Sequence, residues 1–387
     1  MMGRFLVIVV DSCGAGELPD AAQYGDSGAN TLGNCARSVG GLHLPTLQSW
    51  GLGNLTGIEG CARESSPRAS FGRMAEASEG KDTTTGHWEM MGIVLQHGFT
   101  TFPDGFPTEL MDEWLSRSGA PGFLGNKTAS GTAILDELGE EHLKTKKPIV
   151  YTSADSVFQI AAHEQVVPLE TLYAWCKAAR EVGKPRGIAR VIARPFVGEH
   201  EGAFRRTYNR RDFSQPPPAG MVLDLLASSG VRTVGVGKIP DIYDGHGIAE
   251  SIHTEGNADG LQKTEELLAK EQDGFLFVNL VDTDMLYGHR RDPAGYARAL
   301  QEIDSALPAI AGRLREDDLL VVTADHGNDP TYRGTDHTRE YVPLIAYGRR
   351  AAGRDLGVRA SFSDLGATVA DYFGVRAPRG QSFLRDL

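Results

Sequence analysis

The sequence predicts an α/β fold in which a mostly parallel sheet is flanked by helices. Apolar runs of strand length recur along the chain, and most are continuously apolar, as in strands buried on both faces of a parallel sheet. Helical patterns lie between these runs, and alternating strands and helices are typical of α/β proteins. Two breaks rich in glycine and proline further indicate an inserted domain.

Taken in chain order, the apolar runs predict strands at residues 5–10, 149–152, 231–236, 275–281, 319–323 and 342–347. The clearest helix is predicted in 296–314. There, apolar residues repeat at spacings of four and three, which forms one stripe of a helix: Tyr296, Leu300, Ile303, Leu307, Ile310 and Leu314.

The domain organisation is predicted from length and from the two breaks. A chain of 387 residues is long enough for two or three domains of about 150 residues each. The breaks at 96–107 and 211–220 bracket a segment of the size of one domain. We therefore expect residues 99–216 to form an inserted domain, and 1–98 with 217–387 to form one discontinuous domain.

The composition excludes several classes of protein. With 41% hydrophobic residues the chain can bury a core, and its net charge of -12 argues against nucleic acid as a partner. The four cysteines are scattered and form no C-x-x-C pair, which argues against a zinc ribbon or a disulfide framework. No run approaches the roughly 18 apolar residues of a membrane span, so we expect a soluble cytoplasmic protein with no membrane partner.

Acidic residues follow three of the predicted strands. Asp11, Asp284 and Asp325 come at or just after the ends of apolar runs, and the carboxyl ends of parallel strands meet at one edge of a sheet. The histidines in the same segments are His289, His326 and His337. Carboxylate and imidazole together suit zinc or manganese, and six such residues are enough for two ions.

The segment "GKDTTTGHWEMMG" holds three successive threonines. In one interpretation they lie in a polar turn and cap the following segment. In the other, one threonine is a nucleophile whose alcohol pKa is lowered by a metal, as in an in-line phosphoryl transfer at a two-metal site. The residues alone do not choose among Thr83, Thr84 and Thr85.

Basic residues cluster in the predicted inserted domain. Arg190 and Arg194 flank an apolar triplet typical of a strand, and Arg205 and Arg206 follow; Lys238 lies outside the inserted domain. Such charges usually form a solvated face. Because the arginine fork pairs bidentately with phosphate, a phosphorylated substrate is the alternative that we favour.

The chain resembles the bacterial phosphopentomutases, a family of the alkaline phosphatase superfamily of two-metal phosphotransferases. The resemblance runs nearly end to end and is carried by the segments "VDSCGAGELPDA", "GKDTTTGHWEMMG", "GNKTASGTAILDELG", "YTSADSVFQIAAHE", "RVIARPFVGE", "GKIPDIYDG", "NLVDTDMLYGHRRDP" and "TADHGNDPTYRGTDHTREYVPLIAY". It implies an alkaline-phosphatase-like core and an inserted α+β cap that binds a sugar phosphate.

The resemblance also implies roles for individual residues. Thr83 would carry a phosphoryl group. One metal would be held by Asp11, Asp325, His326 and the Thr83 oxygen, and a second metal by Asp284, His289 and His337. The residues implied to approach the sugar phosphate are Asp155, Arg190, Arg206 and Lys238.

The implied reaction interconverts ribose 1-phosphate and ribose 5-phosphate, and the 2-deoxyribose pair, in nucleoside salvage. It would run through a phosphothreonine enzyme and a sugar bisphosphate, with Mn²⁺ as the preferred metal and glucose 1,6-bisphosphate as the activator. Sugar phosphates would be the partners. The oligomeric state is left open, and a monomer is one of the options.

Three other functions remain open at this point. A metal-dependent phosphatase or sulfatase would share the metal ligands and the nucleophile, and a cofactor-independent phosphoglycerate mutase would share the metal pattern. The latter normally uses serine where this chain has threonine. A non-catalytic, metal-stabilised binding protein would need no nucleophile at all.

Overall fold

A computed structural model describes residues 3–152, 156–270, 272–349 and 351–387. The chain divides into two compact units. The first, here called the core unit, combines Met1–His97 with Pro217–Leu387, and the second, the cap unit, is Gly98–Pro216. The inserted domain that we propose from the sequence, 99–216, lies close to this division.

The strands of the described residues are β1 (Arg4–Val10), β2 (Ser70–Met74), β3 (Leu124–Thr128), β4 (Ile149–Thr152), β5 (Val157–His163), β6 (Arg190–Val197), β7 (Arg205–Arg206), β8 (Arg211–Ser214), β9 (Thr233–Val236), β10 (Glu250–Ile252), β11 (Gly274–Leu280), β12 (Leu319–Thr323), β13 (Val342–Tyr347) and β14 (Asp355–Arg359).

The α-helices of the described residues are α1 (Thr31–Val39), α2 (Pro45–Ser49), α3 (Thr83–Met90), α4 (Thr108–Ser118), α5 (Ala133–Thr145), α6 (Leu169–Gly183), α7 (Val222–Ser228), α8 (Ile239–Ile242), α9 (Asn257–Ala269), α10 (Pro293–Gly312) and α11 (Ser363–Tyr372). None of these described helices combines the length and the apolar character that a membrane span requires.

The core unit is built on one sheet with the strand order β10-β9-β11-β1-β12-β13-β2-β14. The first five strands in this order run parallel to one another. The exception is β13, which is antiparallel to both β12 and β2. β1, β11 and β12 are buried along their whole lengths and are apolar apart from Arg4, Asn279 and Thr323, and the predicted mostly parallel α/β sheet is confirmed.

The predicted elements match the structure closely in the apolar parts of the chain. The strands predicted at 149–152, 319–323 and 342–347 have the observed bounds. The helix predicted within 296–314 is α10, which begins earlier because Asp292 caps it and Pro293 occupies its first turn. It ends at Gly312, before the last residue of the predicted stripe.

The cap unit has its own sheet, with the order β3-β4-β5-β6-β7 and with β8 paired to β6. The sheet mixes parallel and antiparallel pairs, so the unit is α+β. One apolar cluster combines sheet residues with α4 and α6, and a smaller one combines them with α5. Arg190, Arg194 and Phe196 alternate along β6 and therefore point to the α5 side of the sheet.

Candidate metal centre and active site

The three predicted aspartates lie at the carboxyl edge of the core sheet. Val10 in β1 is paired with Leu280 in β11, so these parallel strands end level with each other. The backbone N–H of Asp11 donates to the Leu280 carbonyl at 3.0 Å. The chain after β11 enters a π-helical turn, Thr283–Gly288, which carries Asp284. Asp325 follows β12, on the other side of β1.

Asp11, Asp325 and His326 form the first cluster of possible metal ligands, and one ligand atom from each lies within 4.8 Å of the others. The Nε2 atom of His326 is 3.4 Å from Asp11 Oδ1 and 3.4 Å from Asp325 Oδ2. The Nδ1–H of His326 donates to the carbonyl of Gly327, which leaves Nε2 facing the two carboxylates.

A second cluster is formed by Asp284, His326 and His337, within the same limit of 4.8 Å. His289 also lies there, because its Nε2 atom is 3.4 Å from Asp284 Oδ2 and 3.1 Å from His337 Nε2. Its Nδ1–H donates to the Thr335 carbonyl at 2.6 Å, so Nε2 points to the cluster. The ring centroids of His326 and His337 are 3.9 Å apart, so the two clusters adjoin.

Buried oxygen atoms show that these residues fit divalent cations. Within the described residues, Asp11 Oδ1 and Asp325 Oδ2 are buried and accept no hydrogen bond of good geometry, although imidazole nitrogens lie 3.1 to 3.4 Å from them. A buried carboxylate oxygen without a partner is costly unless a cation lies against it. Carboxylate oxygens combined with imidazole nitrogens are donors that zinc and manganese accept.

The electrostatics of the clusters favour charged carboxylates. Burial alone would raise the pKa of Asp325, but the His326 and His87 imidazoles lower it to about 2. Burial likewise opposes ionisation of Asp284, yet His289 and His337 hold its pKa well below the usual range. Both carboxylates are therefore ready to bind a cation at neutral pH.

The threonine segment places its first hydroxyl against the clusters. Asp82 caps α3 by accepting hydrogen bonds from the backbone N–H groups of Thr84 and Thr85 at 3.0 and 3.1 Å. The hydroxyl of Thr85 also donates to Asp82. Thr83, the first residue of the helix, is different, because its Oγ1 atom lies 3.1 Å from His326 Nε2. The capping interpretation thus applies to the segment from Thr84 onward, whereas the Thr83 hydroxyl faces the clusters.

Comparison with known proteins decides the family. Residues 3–377 match the Metalloenzyme superfamily. The chain is 62% identical to the phosphopentomutase of Anaeromyxobacter sp. (strain K) over 387 residues, which is 100% of both chains. It is 58% identical to the phosphopentomutase of Symbiobacterium thermophilum over 383 residues, 98% of this chain and 97% of that one. The chain belongs to the phosphopentomutase family.

A solved structure supports the fold of this phosphopentomutase-family chain. A protein of Pyrococcus horikoshii has a TM-score of 0.52 and 14% identity, and the similarity covers 98% of this chain and 100% of that one. Identity this low shows the fold alone. Together with the superfamily match, it confirms the predicted alkaline-phosphatase-like architecture.

The residues predicted to contact substrate are distributed over both units. In the core unit, Lys238 Nζ lies 3.7 Å from Asp11 Oδ2, at the edge that carries the clusters. In the cap unit, Arg190 lies 3.5 Å from Asp212, and Arg206 donates to the Tyr151 hydroxyl at 3.3 Å. Asp155 lies outside the described residues.

The cap arginines repel each other. Burial, together with the like charges of Arg210 and Arg206, lowers the pKa of Arg194 to about 9. The Nε–H of Arg194 donates to Gln159 at 3.1 Å, and Asp212, which also pairs with Arg190 and Arg210, opposes the lowering of this pKa. A cluster of cations with so few acids is suited to an anion such as phosphate.

Three residues near the clusters were not predicted from the sequence. His87 is fully buried, with its Nδ1 atom 2.9 Å from the Thr83 carbonyl and 3.1 Å from Asp325 Oδ2. Asn328 donates to Asp284 Oδ1 at 2.8 Å, and Arg291 donates to Asn328. The available signal was proximity in sequence, since each lies within four residues of a predicted site residue.

Proposed function

We propose that this chain is a phosphopentomutase that interconverts ribose 1-phosphate and ribose 5-phosphate, and the 2-deoxyribose pair. The reaction would use a phosphorylated Thr83 and a sugar bisphosphate intermediate. The observation that carries this proposal is the Thr83 hydroxyl, 3.1 Å from His326 at a buried carboxylate–histidine cluster. Full-length identity of 62% to a phosphopentomutase supports the substrate.

Each residue at the core edge has a proposed role. Asp11, Asp325, His326 and the Thr83 oxygen would hold one divalent ion, and Asp284, His289 and His337 would hold the second. When bound, two such ions, of which Mn²⁺ is the one we propose, stabilise the negative charge of a transferring phosphoryl group. The N-terminus of α3 adds positive potential at Thr83, which favours a phosphoryl group on that residue.

The proposed cycle has two transfers. The bond between phosphorus and Thr83 Oγ1 breaks as a hydroxyl oxygen of the bound sugar phosphate forms the new bond to phosphorus, and the hydroxyl proton is released. The sugar then carries two phosphates. In the second transfer, Thr83 Oγ1 takes the other phosphoryl group, and the oxygen left on the sugar regains a proton. Glucose 1,6-bisphosphate would supply the first phosphoryl group.

The basic residues are proposed to hold the phosphate that is not being transferred. Arg190 and Arg206 offer forked donors to it, and Lys238 brings a further positive charge to the carboxyl edge of the core sheet. We assign Asp155 to the sugar on the resemblance alone. A cytoplasmic role in nucleoside salvage also rests on the resemblance.

The test is a single assay with two products. Manganese-loaded protein is incubated with ribose 5-phosphate, with and without glucose 1,6-bisphosphate, and ribose 1-phosphate and free phosphate are measured together. A mutase forms ribose 1-phosphate without stoichiometric free phosphate. Free phosphate without the isomer would instead favour a metal-dependent phosphatase.

The nucleophile is tested with adjacent threonines. Thr83→Ala should lose turnover by at least about a thousandfold, because an essential nucleophile is removed, while Mn²⁺ still binds. Intact-mass spectrometry should show one phosphoryl group on the primed wild type and none on the variant. Thr84→Ala is the matched control and should retain both turnover and priming. Full turnover in Thr83→Ala would contradict the assignment.

A further inference from the structure

Arg291 has a backbone conformation that is unfavourable for its residue type. Its φ angle of 53° lies in the left-handed region, which non-glycine residues rarely adopt. Such a conformation costs on the order of 1 kcal/mol and persists only where surrounding contacts hold it. Arg291 lies two residues after His289, between the π-helical turn and α10.

The guanidinium group of Arg291 joins two loops of the core unit. Nε donates to the Gly334 carbonyl at 2.5 Å, and Nη2 donates to the Asp336 carbonyl at 2.9 Å. Nη1 lies 2.9 Å from the carbonyl of Asp329 and 3.1 Å from that of Gly288. One side chain thus connects the loop that carries His289 with the loop that carries His337.

The same group also reaches the third residue of the second cluster. Arg291 Nη1 donates to Asn328 Oδ1 at 2.6 Å, and Asn328 Nδ2 donates to Asp284 Oδ1 at 2.8 Å. Because Asn328 is fully buried, its amide has little freedom to turn away. Arg291 is therefore linked to Asp284 through Asn328, to His289 through the Gly288 carbonyl, and to His337 through the Asp336 carbonyl.

We propose that Arg291 is a positioning residue that aligns Asp284, His289 and His337 for one of the two metal ions. The planar guanidinium offers five N–H donors in a fixed arrangement, whereas a lysine ammonium offers three on a flexible stem. Only the guanidinium can reach acceptors on both loops and on Asn328 at the same time. The proposal rests on the proposed two-metal centre and deepens it, since it concerns this second cluster and not the first.

The experiment measures Mn²⁺ binding rather than turnover alone. Wild type and Arg291→Lys are titrated with Mn²⁺ by calorimetry, and the bound metal is counted by elemental analysis. We expect two ions on the wild type. In Arg291→Lys, one ion should bind with unchanged affinity and the other about tenfold to a hundredfold more weakly, the usual effect of removing a partner that orients ligands.

Two comparisons locate the effect. Arg290→Lys is the matched control: this neighbour is exposed, and it should bind both ions as the wild type does. In a His289→Ala background, which already lacks one ligand of the second cluster, Arg291→Lys should weaken Mn²⁺ binding by a smaller factor than in the wild type, because one of the three ligands that it aligns is gone. An equal factor in both backgrounds, an equal loss of both ions, or unchanged binding of both would each overturn the proposal.

A second variant covers the case in which Arg291→Lys does not fold. Glycine adopts the left-handed conformation without strain, so Arg291→Gly removes every donor and leaves the backbone able to keep its path. We expect the same selective loss of one ion. If Arg291→Gly binds two ions with the affinities of the wild type, the inference about Arg291 is overturned and the two-metal proposal stays intact. Fewer than two ions on the wild type would overturn the two-metal proposal itself.

Discussion

Gly86 shows how one residue sets the distance between the threonine helix and the metal clusters. It lies in α3, three residues after Thr83, where the helix passes directly against the backbone at Asp325. A Cβ atom on Gly86 would be 2.1 Å from the Asp325 carbonyl oxygen and 3.1 Å from the Asp325 Cα atom. Only glycine allows this approach, and through it the Thr83 hydroxyl reaches His326.

We therefore predict that Gly86→Ala separates α3 from the end of β12. The free energy of unfolding should fall by roughly 1–3 kcal/mol, as in other overpacked sites, and Mn²⁺ affinity should fall with it. Chemical denaturation and Mn²⁺ titration measure the two effects. Gly312→Ala is the matched control, because it is also helical and no described heavy atom lies within 4 Å of the added Cβ atom. That change should be neutral or stabilise by up to about 1 kcal/mol; equal effects of the two substitutions would contradict the prediction.

At the scale of elements, the sequence predicts the central strands of the core sheet well and the peripheral ones poorly, and it misses β5, which is fully buried but carries Gln159 and His163. β1, β11 and β12 are mostly apolar because both faces of the sheet are covered, so a simple pattern identifies them. β8 and β14 are short and partly exposed, and their residues, Arg211–Ser214 and Asp355–Arg359, show no apolar run. Their strand conformation depends on pairing with β6 and β2, which local sequence does not encode.

The residues of the candidate site also differ in how far the sequence predicts their positions. The positions of Asp11, Asp284 and Asp325 at one edge follow from parallel strands that end level with each other, so they were predictable from residue type and position. That the hydroxyl of Thr83 faces the clusters, and not that of Thr85, depends on where the Asp82 cap starts the helix. The contacts of Arg291 depend on the path of a loop distant in sequence, and no spacing rule predicts that path.

His142 forms a contact between a helix and a strand, and this contact depends on pH. It lies in the last turn of α5, where its Nδ1–H donates to the Lys147 carbonyl at 2.7 Å and its Nε2 accepts from the backbone N–H of His163 at 2.8 Å. The imidazole therefore joins the end of α5 to the end of β5. Burial lowers the pKa of His142 below its ordinary value of 6.5, although the Lys147 carbonyl opposes this shift.

We predict that the cap unit becomes less stable as the pH falls below about 6.5. The folded state disfavours the protonated imidazole, so the folded protein binds fewer protons than the unfolded protein. The contribution of neutral His142 to stability is therefore complete above this pH and is lost as the pH falls through the pKa of His142 in the folded state. The loss of stability is measured by amide hydrogen exchange in α5 and β5 between pH 7.5 and 5. His142→Gln should remove much of this dependence, whereas His97→Gln, at an exposed histidine, should retain it. An unchanged slope in His142→Gln would show that other groups cause the dependence.

At the scale of the whole molecule, the two units carry different chemical groups. The core unit holds every proposed metal ligand, the Thr83 hydroxyl and Lys238, whereas the cap unit holds the arginine cluster. The chain as a whole is acidic, with a net charge of -12, so its positive groups act on an anionic substrate locally and not through the overall charge. Removal of metal should consequently affect the two units differently.

We predict that chelation of Mn²⁺ selectively destabilises the core unit. Each ion present at about a hundred times its dissociation constant adds about 2.7 kcal/mol to the free energy of unfolding, because it binds only the folded state. The bound ion also offsets the free-energy cost of burying the charged carboxylates of Asp11 and Asp325. Hydrogen exchange after chelation should accelerate in β1, β11 and β12, and exchange in the cap unit serves as the internal reference. The Asp325→Asn variant should respond less to chelation than the wild type. If these three strands exchange equally fast with and without Mn²⁺, the acidic edge of the core sheet is not a metal centre.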